Sequence, residues 1–398
     1  EKTTPFNQDQ FPPAPVAERI SQTLENFGEK RTDPYYWLKN KTNPKVIEYL
    51  KAENAYTDTV MASTKKLQET IYNEILGRIK EDDQTYPTFD NGYYYYNRSE
   101  KGKQYLTYCR RKGSMEAPEE VFFDVNQMAE GKNAFIFEGY FISPDNQKAA
   151  YLYNETGSYA EYTLKIRDLS TGSDINFRVE GVASMAWAND SKTLFYSTID
   201  KSLRSHQIHR QVLDAPNSEL LYQEDDARFS TYVSADKLKR HIWVFNESSS
   251  TSETRYLSAD TPTQPLKVFL PRTQGVEYAV YPHKDYFFLR YKDDKHLNGE
   301  MYKLPLVGYT DHTLWKEFLA HDPDTRIEGI DVLKDYVVVS LRKNGLTQLE
   351  ALPVAGGEKH VVSFPEPVYS VSLKENPMYD SGSFRYSYTS LNRPTTLY

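Results

Sequence analysis

Residues 187–197 read WANDSKTLFYS, and the fold turns on them. A tight turn carries Asp190, two residues follow, and a run of apolar and β-branched residues then leaves the turn as a strand would. The same unit stands at FDNGYYYY around Asp90, SPDNQKAAYLY around Asp145 and VSADKLKRHIWVF around Asp236. It returns at PHKDYFFLRY around Asp285, VLKDYVVVS around Asp335 and PMYDSGSFRYS around Asp380. Successive aspartates lie 55, 45, 46, 49, 50 and 45 residues apart. A period of about 40–50 residues with about four strands per unit is the mark of propeller blades. The outer strands that such blades need are visible between the anchors, as in YTLKIRDLSTG (162–172) and IHRQVLD (208–214). A two-sheet sandwich has no reason to keep this period, so the expectation is an all-β, seven-bladed β-propeller over residues 81–398, with no helix after Asp83.

Composition agrees with a strand-rich chain. The 398 residues include 33 Tyr and 19 Phe, residue types that favour a pleated, half-buried surface. A net charge of −8 with signs interspersed lacks the basic face of a nucleic-acid binder. No apolar run approaches the ~20 residues that span a bilayer. The single cysteine, Cys109, cannot close an internal disulfide, so nothing requires an oxidising compartment.

Residues 1–80 read differently. Asn43 is placed to cap a helix that begins with Pro44. Val46, Ile47 and Leu50, then Leu67, Ile71, Ile75 and Ile79, recur at helical spacing, with Ser63-Thr64 dividing two helices. Upstream, RTDPYYWLKN (31–40) gathers four large residues, Tyr35 to Leu38, that need something to pack on. The expectation is an extended and helical preface with an unpartnered apolar stripe.

Catalytic chemistry is not visible. No Gly-x-Ser-x-Gly elbow occurs; Ser381-Gly382-Ser383-Phe384 lies in a repeat turn. Cys109, in TYCRRKG, reads as an inert core residue although two arginines follow it. His206 and His209 are the one close histidine pair, but residues three apart on a strand face opposite sides. The other histidines, His241, His283, His296, His312, His321 and His360, are scattered singly. There is no Walker A loop or dinucleotide fingerprint. Glu81-Asp82-Asp83, Asp225-Asp226 and Asp293-Asp294 read as solvated turn residues, and Asp145 and Asp190 as Asx-turn formers. No catalytic, cofactor-binding or metal-ligating residue is assigned.

PPAPVAER (12–19), RTDPYYWLKN, YLKAENAYT (49–57) and LQETIYNEILGRIKEDDQTYP (67–87) resemble the start of the oligopeptidase B (protease II) branch of the prolyl oligopeptidase family of serine peptidases. GKQYLTYCRRKGSMEAPEEVFFDVN (102–126), SPDNQKAAY, DLSTG and SFRYSYTSLNRPTTLY continue the resemblance to the last residue. It implies a seven-bladed propeller inserted into an α/β-hydrolase, with the preface packing on the hydrolase and the Ser, Asp and His of the triad lying beyond Tyr398. It implies a parent that cleaves short peptides after Arg or Lys, the propeller excluding folded proteins. This chain is then expected to be inactive alone, its preface packing on the hydrolase in the parent and, without it, either mobile or sequestered by another copy. The resemblance also implies a cytoplasmic enzyme, although the lead of residues 1–10 leaves a processed export signal open. Two readings stand beside it: a propeller acting alone as a binding module, and one half of a split peptidase.

Overall fold

Two helices and a long series of antiparallel strands account for most of residues 11–398, which are described by a computed structural model. The lead of residues 1–10, and the question of an export signal with it, lies outside the described residues. The chain divides into a unit ending at Glu81 and a unit from Asp82 to Tyr398.

In the first unit an unforeseen hairpin pairs Gln22–Asn26 with Glu29–Asp33. Its turn places Phe27 and Gly28 at φ 53° and 82°, the left-handed geometry of two-residue hairpins; Phe at the first position hides the Asn-Gly or Asp-Gly signal. Asp33 then accepts a hydrogen bond from the Tyr35 N–H (2.9 Å). A single turn, Tyr36–Lys39, carries Trp37, whose indole donates to the Glu18 carbonyl (2.9 Å). Helix α1 spans Pro44–Met61, with the Asn43 side chain accepting from the Lys45 N–H. A 3-10 turn at Ala62–Thr64 precedes helix α2, Lys65–Leu76. Val46 is the one buried apolar side chain among the described residues of this unit. Leu50, Leu67, Ile71, Ile75 and Ile79 are exposed. Asn43→Ala is expected to cost about 1 kcal/mol of α1 stability, read as lost helical circular dichroism in a thermal melt.

The second unit builds sheets in chain order, every neighbouring pair antiparallel. Thr88–Asp90, Tyr93–Ser99, Thr107–Lys112 and Glu120–Asp124, with the short Asp83–Gln84, form the first sheet. Seven strands from Ile136–Ile142 to Glu219–Gln223 form the second. Ser230–Ala235 to Lys267–Val268, Glu277–Pro282 to Lys316–Leu319, and Thr325–Val332 to His360–Val361 are four-stranded. The last has three strands, Ser370–Leu373, Tyr386–Ser390 and Arg393–Leu397. This is a β-propeller with a helical segment before it.

All seven repeat aspartates fall at or beside the turn that joins the first and second strands of a unit. Asp145 accepts from the Gln147 N–H (3.0 Å), Asp190 from Lys192 and Thr193 (2.9 and 2.8 Å), and Asp236 from Arg240 (2.9 Å). The sheets themselves number six after Glu81, not seven separate ones. The reason is Asp174–Trp187, a strand of 14 residues. Its first part pairs with Tyr162–Asp168 and its second with Thr193–Ile199, and register shifts at 162–163 and 182–184 mark the handover. Gly181, at φ 69°, supplies the bend. The expectation of no helix after Asp83 also fails by one turn: Val125–Met128 is helical, capped by Asp124.

Neighbouring sheets are joined by buried apolar clusters. Phe122 and Phe123 meet Tyr151 and Tyr153; Phe195 and Ile208 meet Val233 and Ile242; Trp243 meets Phe269 and Phe287; Phe288 meets Ile327 and Val337; Val338 and Leu349 meet the last sheet at Leu373 and Val371. Among the described residues no such cluster joins the last sheet to the first. That seam holds a hydrogen bond from Arg385 Nη1 to the Pro87 carbonyl (2.8 Å).

Candidate functional site

The innermost strands of five of the six sheets line one cavity of about 1280 Å³. Alternation along each strand decides which side chains reach it. On one side the wall is aromatic, with Tyr95, Tyr108, Tyr140 and Trp187. The Trp187 indole is fixed by donating to the Phe141 carbonyl (2.9 Å) on the neighbouring unit. Tyr140 packs edge-on against Phe122 and Tyr108, at centroid distances of 4.9 and 5.5 Å. Burial pushes its phenol well above the ordinary value, so the hydroxyl stays protonated.

The opposite side is charged. Arg342 grips Glu328 through two nitrogens (2.6 and 3.1 Å). The turn after Ser230–Ala235 sends two lysines across the cavity. Lys237 pairs with Asp331, two sheets further along the chain, and Lys239 lies 3.7 Å from Asp90 of the first sheet. The turn can hold them there because it is pinned on both sides. Asn189 donates to the Lys239 carbonyl (2.7 Å), and the Arg240 guanidinium donates to the carbonyls of Lys284 and His283 (2.9 and 2.7 Å). Inside the turn, burial works against charge on Asp236, but bonds from His241, the Arg240 N–H and Trp243 outweigh it and hold the carboxyl low. The Lys-x-Lys of SADKLK, where the turns at Asp90, Asp145, Asp190 and Asp380 carry Asn or Ser after the aspartate, was the sequence signal for this bridge.

The residues weighed from sequence lie elsewhere. Cys109 is fully buried and unpaired. Burial, and then the Glu119 carboxylate, push its thiol up to about 11. The two following arginines do not reverse this: Arg110 is turned to Glu120 (2.7 Å) and Arg111 to the Tyr96 hydroxyl (2.8 Å). A maleimide is expected to leave Cys109 unmodified in the native protein at pH 8 and to label it once urea unfolds the chain, read by intact mass. His209 stacks on Tyr196 at 5.3 Å, and burial lowers its pKa. Among the described residues no group of three His, Cys, Asp or Glu is placed to hold a metal. Ser381 donates to the carbonyl of Ser383 (2.7 Å). Among the described residues no histidine or cysteine lines the cavity, whose wall presents aromatic faces and charged groups. Among the described residues no helix is long and apolar enough to cross a membrane.

Comparison with known proteins gives a consistent result. The family description "Prolyl oligopeptidase, N-terminal beta-propeller domain" matches residues 15–398. Dipeptidyl aminopeptidase BI of Pseudoxanthomonas mexicana is 33% identical over 407 residues, covering 97% of this chain and 56% of that protein. Protease 2 of Moraxella lacunata is 31% identical, covering 96% and 56%. Oligopeptidase B from Trypanosoma brucei, with covalently bound antipain in a closed form, superposes with a TM-score of 0.89 at 26% identity, over 97% of this chain and 58% of that one. Oligopeptidase B from Leishmania major gives 0.89 at 28%, with the same coverage. The chain spans about half the length of the curated relatives it matches.

Proposed function

Because the chain belongs to the prolyl oligopeptidase family, we propose that it is the propeller-bearing part of an oligopeptidase B-like serine peptidase that cleaves short peptides after Arg or Lys. The observation that carries this is the family match from residue 15 to residue 398. The serine, aspartate and histidine belong, on this reading, to an α/β-hydrolase domain beyond these residues. Residues 1–80 side with that domain, and residues 81–398 form seven blades, the seven-stranded sheet counting as two. The seven equivalent aspartate turns and the handover within Asp174–Trp187 support that count. The exposed Leu67, Ile71, Ile75 and Ile79 stripe is covered by the hydrolase or, without it, by a second copy. The cavity, bridged by the lysines at 237 and 239, admits an extended peptide and turns away a folded protein. Cytoplasmic residence belongs to the same proposal, supported by a lone buried thiol that needs no oxidising compartment.

The test is to express the full reading frame and, separately, residues 1–398, and to offer each an N-terminally blocked Arg chromogenic peptide. The full product should cleave it and lose activity to a serine-directed reagent, and the 398-residue chain should be inert. Hydrolysis by the shorter chain alone overturns the proposal. The name of the Pseudoxanthomonas relative favours a second reading, removal of dipeptides from a free N-terminus. Cleavage of unblocked but not blocked substrates by the full product would establish it.

A further inference from the structure

We infer that a second, smaller pocket, between the first and second sheets of the propeller, binds a phosphate group, free or carried on a small molecule. Arg98, Lys103, Arg167 and the Thr107 hydroxyl would hold it. The inference stands apart from the peptidase reading, which assigns nothing to this pocket.

The pocket encloses about 400 Å³, room for about a dozen waters or one small organic ligand. Strand pairing builds its floor. Arg98 stands directly opposite Thr107, and Thr107 opposite Asp124, so the three side chains leave one face of the first sheet in a row, about 5 Å apart at Cβ. Arg167 reaches in from the second sheet. It donates to the Phe122 carbonyl (3.3 Å), and its guanidinium lies 4.7 Å from the Phe123 ring. Lys103, on the loop between Tyr93–Ser99 and Thr107–Lys112, shares the Glu100 carboxylate with Arg98 and lies 2.6 Å from it.

Two polar groups are left over. Thr107 is only 2% exposed, and its Oγ1 finds no hydrogen-bond partner among the described residues. An enclosed hydroxyl costs free energy unless something bonds it. Arg167 spends Nε on Asp174 (3.2 Å) and Nη1 on Phe122, and no described residue bonds Nη2.

Charge selects the ligand. Three cations line the pocket against the carboxylates of Glu100 and Asp124. Asp124 is committed to the N–H and side-chain amide of Asn126 (3.0 and 3.2 Å). The Glu100 pairs are about one-third exposed and so exchangeable. A ligand carboxylate would bring no more than Glu100 already supplies. A phosphate brings three acceptor oxygens and about 1.5–2 negative charges, which guanidinium groups grip with paired N–H donors. Phe122 and Leu169 add an apolar wall for the rest of a phosphate ester.

The experiment titrates the 398-residue chain with inorganic phosphate and with phenyl phosphate, by calorimetry at low ionic strength. Both are expected to bind. Tighter binding of phenyl phosphate assigns the site to a phosphate ester, and equal affinities assign it to free phosphate. Arg167→Met and Lys103→Met should each weaken binding about tenfold, and Thr107→Val about threefold. Glu100→Gln should strengthen it, and Lys316→Met, on the fourth sheet, should leave it unchanged. Failure of both probes to bind at millimolar concentration, or equal losses in Lys103→Met and Lys316→Met, overturns the inference. Lys103 is exposed, so its variant decides the matter if Arg167→Met fails to fold.

Discussion

Replacing Arg272 with methionine is expected to lower stability by about 3–5 kcal/mol, the usual cost of stranding a buried charge. Glu224, at the end of the seven-stranded sheet, has a side chain only 5% exposed. It is held by Arg272 Nη2 (2.5 Å), the Tyr222 hydroxyl (2.7 Å) and the Asp226 N–H (3.1 Å). Arg272 in turn lies over the Phe229 ring at 3.8 Å. Burial alone disfavours charge on Glu224, but these partners, Arg272 first, outweigh it and hold the carboxyl below its usual range. A carboxyl depressed in the folded state stabilises above its unfolded pKa, and that contribution fades as pH falls through the folded value. Without Arg272 the sign reverses, because burial then governs and raises the pKa. The variant's deficit should therefore be largest near neutral pH and shrink on acidification. Urea unfolding at pH 7 and pH 5 checks this, with Arg272→Met/Glu224→Gln expected to recover part of the loss. A deficit independent of pH would mean that packing on Phe229, not charge, carries the effect.

Phe288→Ala should cost about as much, 3–5 kcal/mol, for an unrelated reason. Phe288 is fully buried between the fourth and fifth sheets of the second unit, with Met301, Ile327 and Val337 around it and Phe318 at 4.7 Å. Each sheet depends on its neighbours for a core, so the damage should spread, and hydrogen exchange should rise in Tyr336–Lys343 as well as in Tyr286–Lys292. Arg385→Ala, which removes the hydrogen bond at the seam between last and first sheets, should cost only about 1 kcal/mol and speed exchange in those two sheets alone. Equal losses at both positions would contradict the picture of one weak joint.

The repeat turns, the Asn43 cap and the break near Ser63-Thr64 were legible because each is a local signal read over a few residues. The one-strand merger at Asp174–Trp187 was not. Its sequence alternates as two strands would, and only pairing with both neighbours makes it continuous. The Gln22–Asp33 hairpin was hidden by Phe27 in a conformation that glycine or asparagine would have advertised. The cavity eluded the sequence for a different reason. Asp90, Tyr140, Lys239 and Glu375 come from four segments between residues 90 and 375, and nothing local says that they meet. Cys109 was read as an inert core residue, and the structure places it at zero exposure with the two arginines that follow it turned to Glu120 and the Tyr96 hydroxyl.

The continuous strand has a mechanical consequence. Sheets packed one on the next behave as springs in series, and a load distributes itself according to their compliance. Hydrogen bonds running from Tyr162–Asp168 through Asp174–Trp187 to Thr193–Ile199, with a register shift on each side, act as a weld, so the seven-stranded sheet should move as one stiff segment. The join between Ser370–Leu397 and Asp83–Asp124, tied by one guanidinium and no shared apolar cluster, is the softest. Strain should therefore gather there, and any opening of the propeller should start at that join.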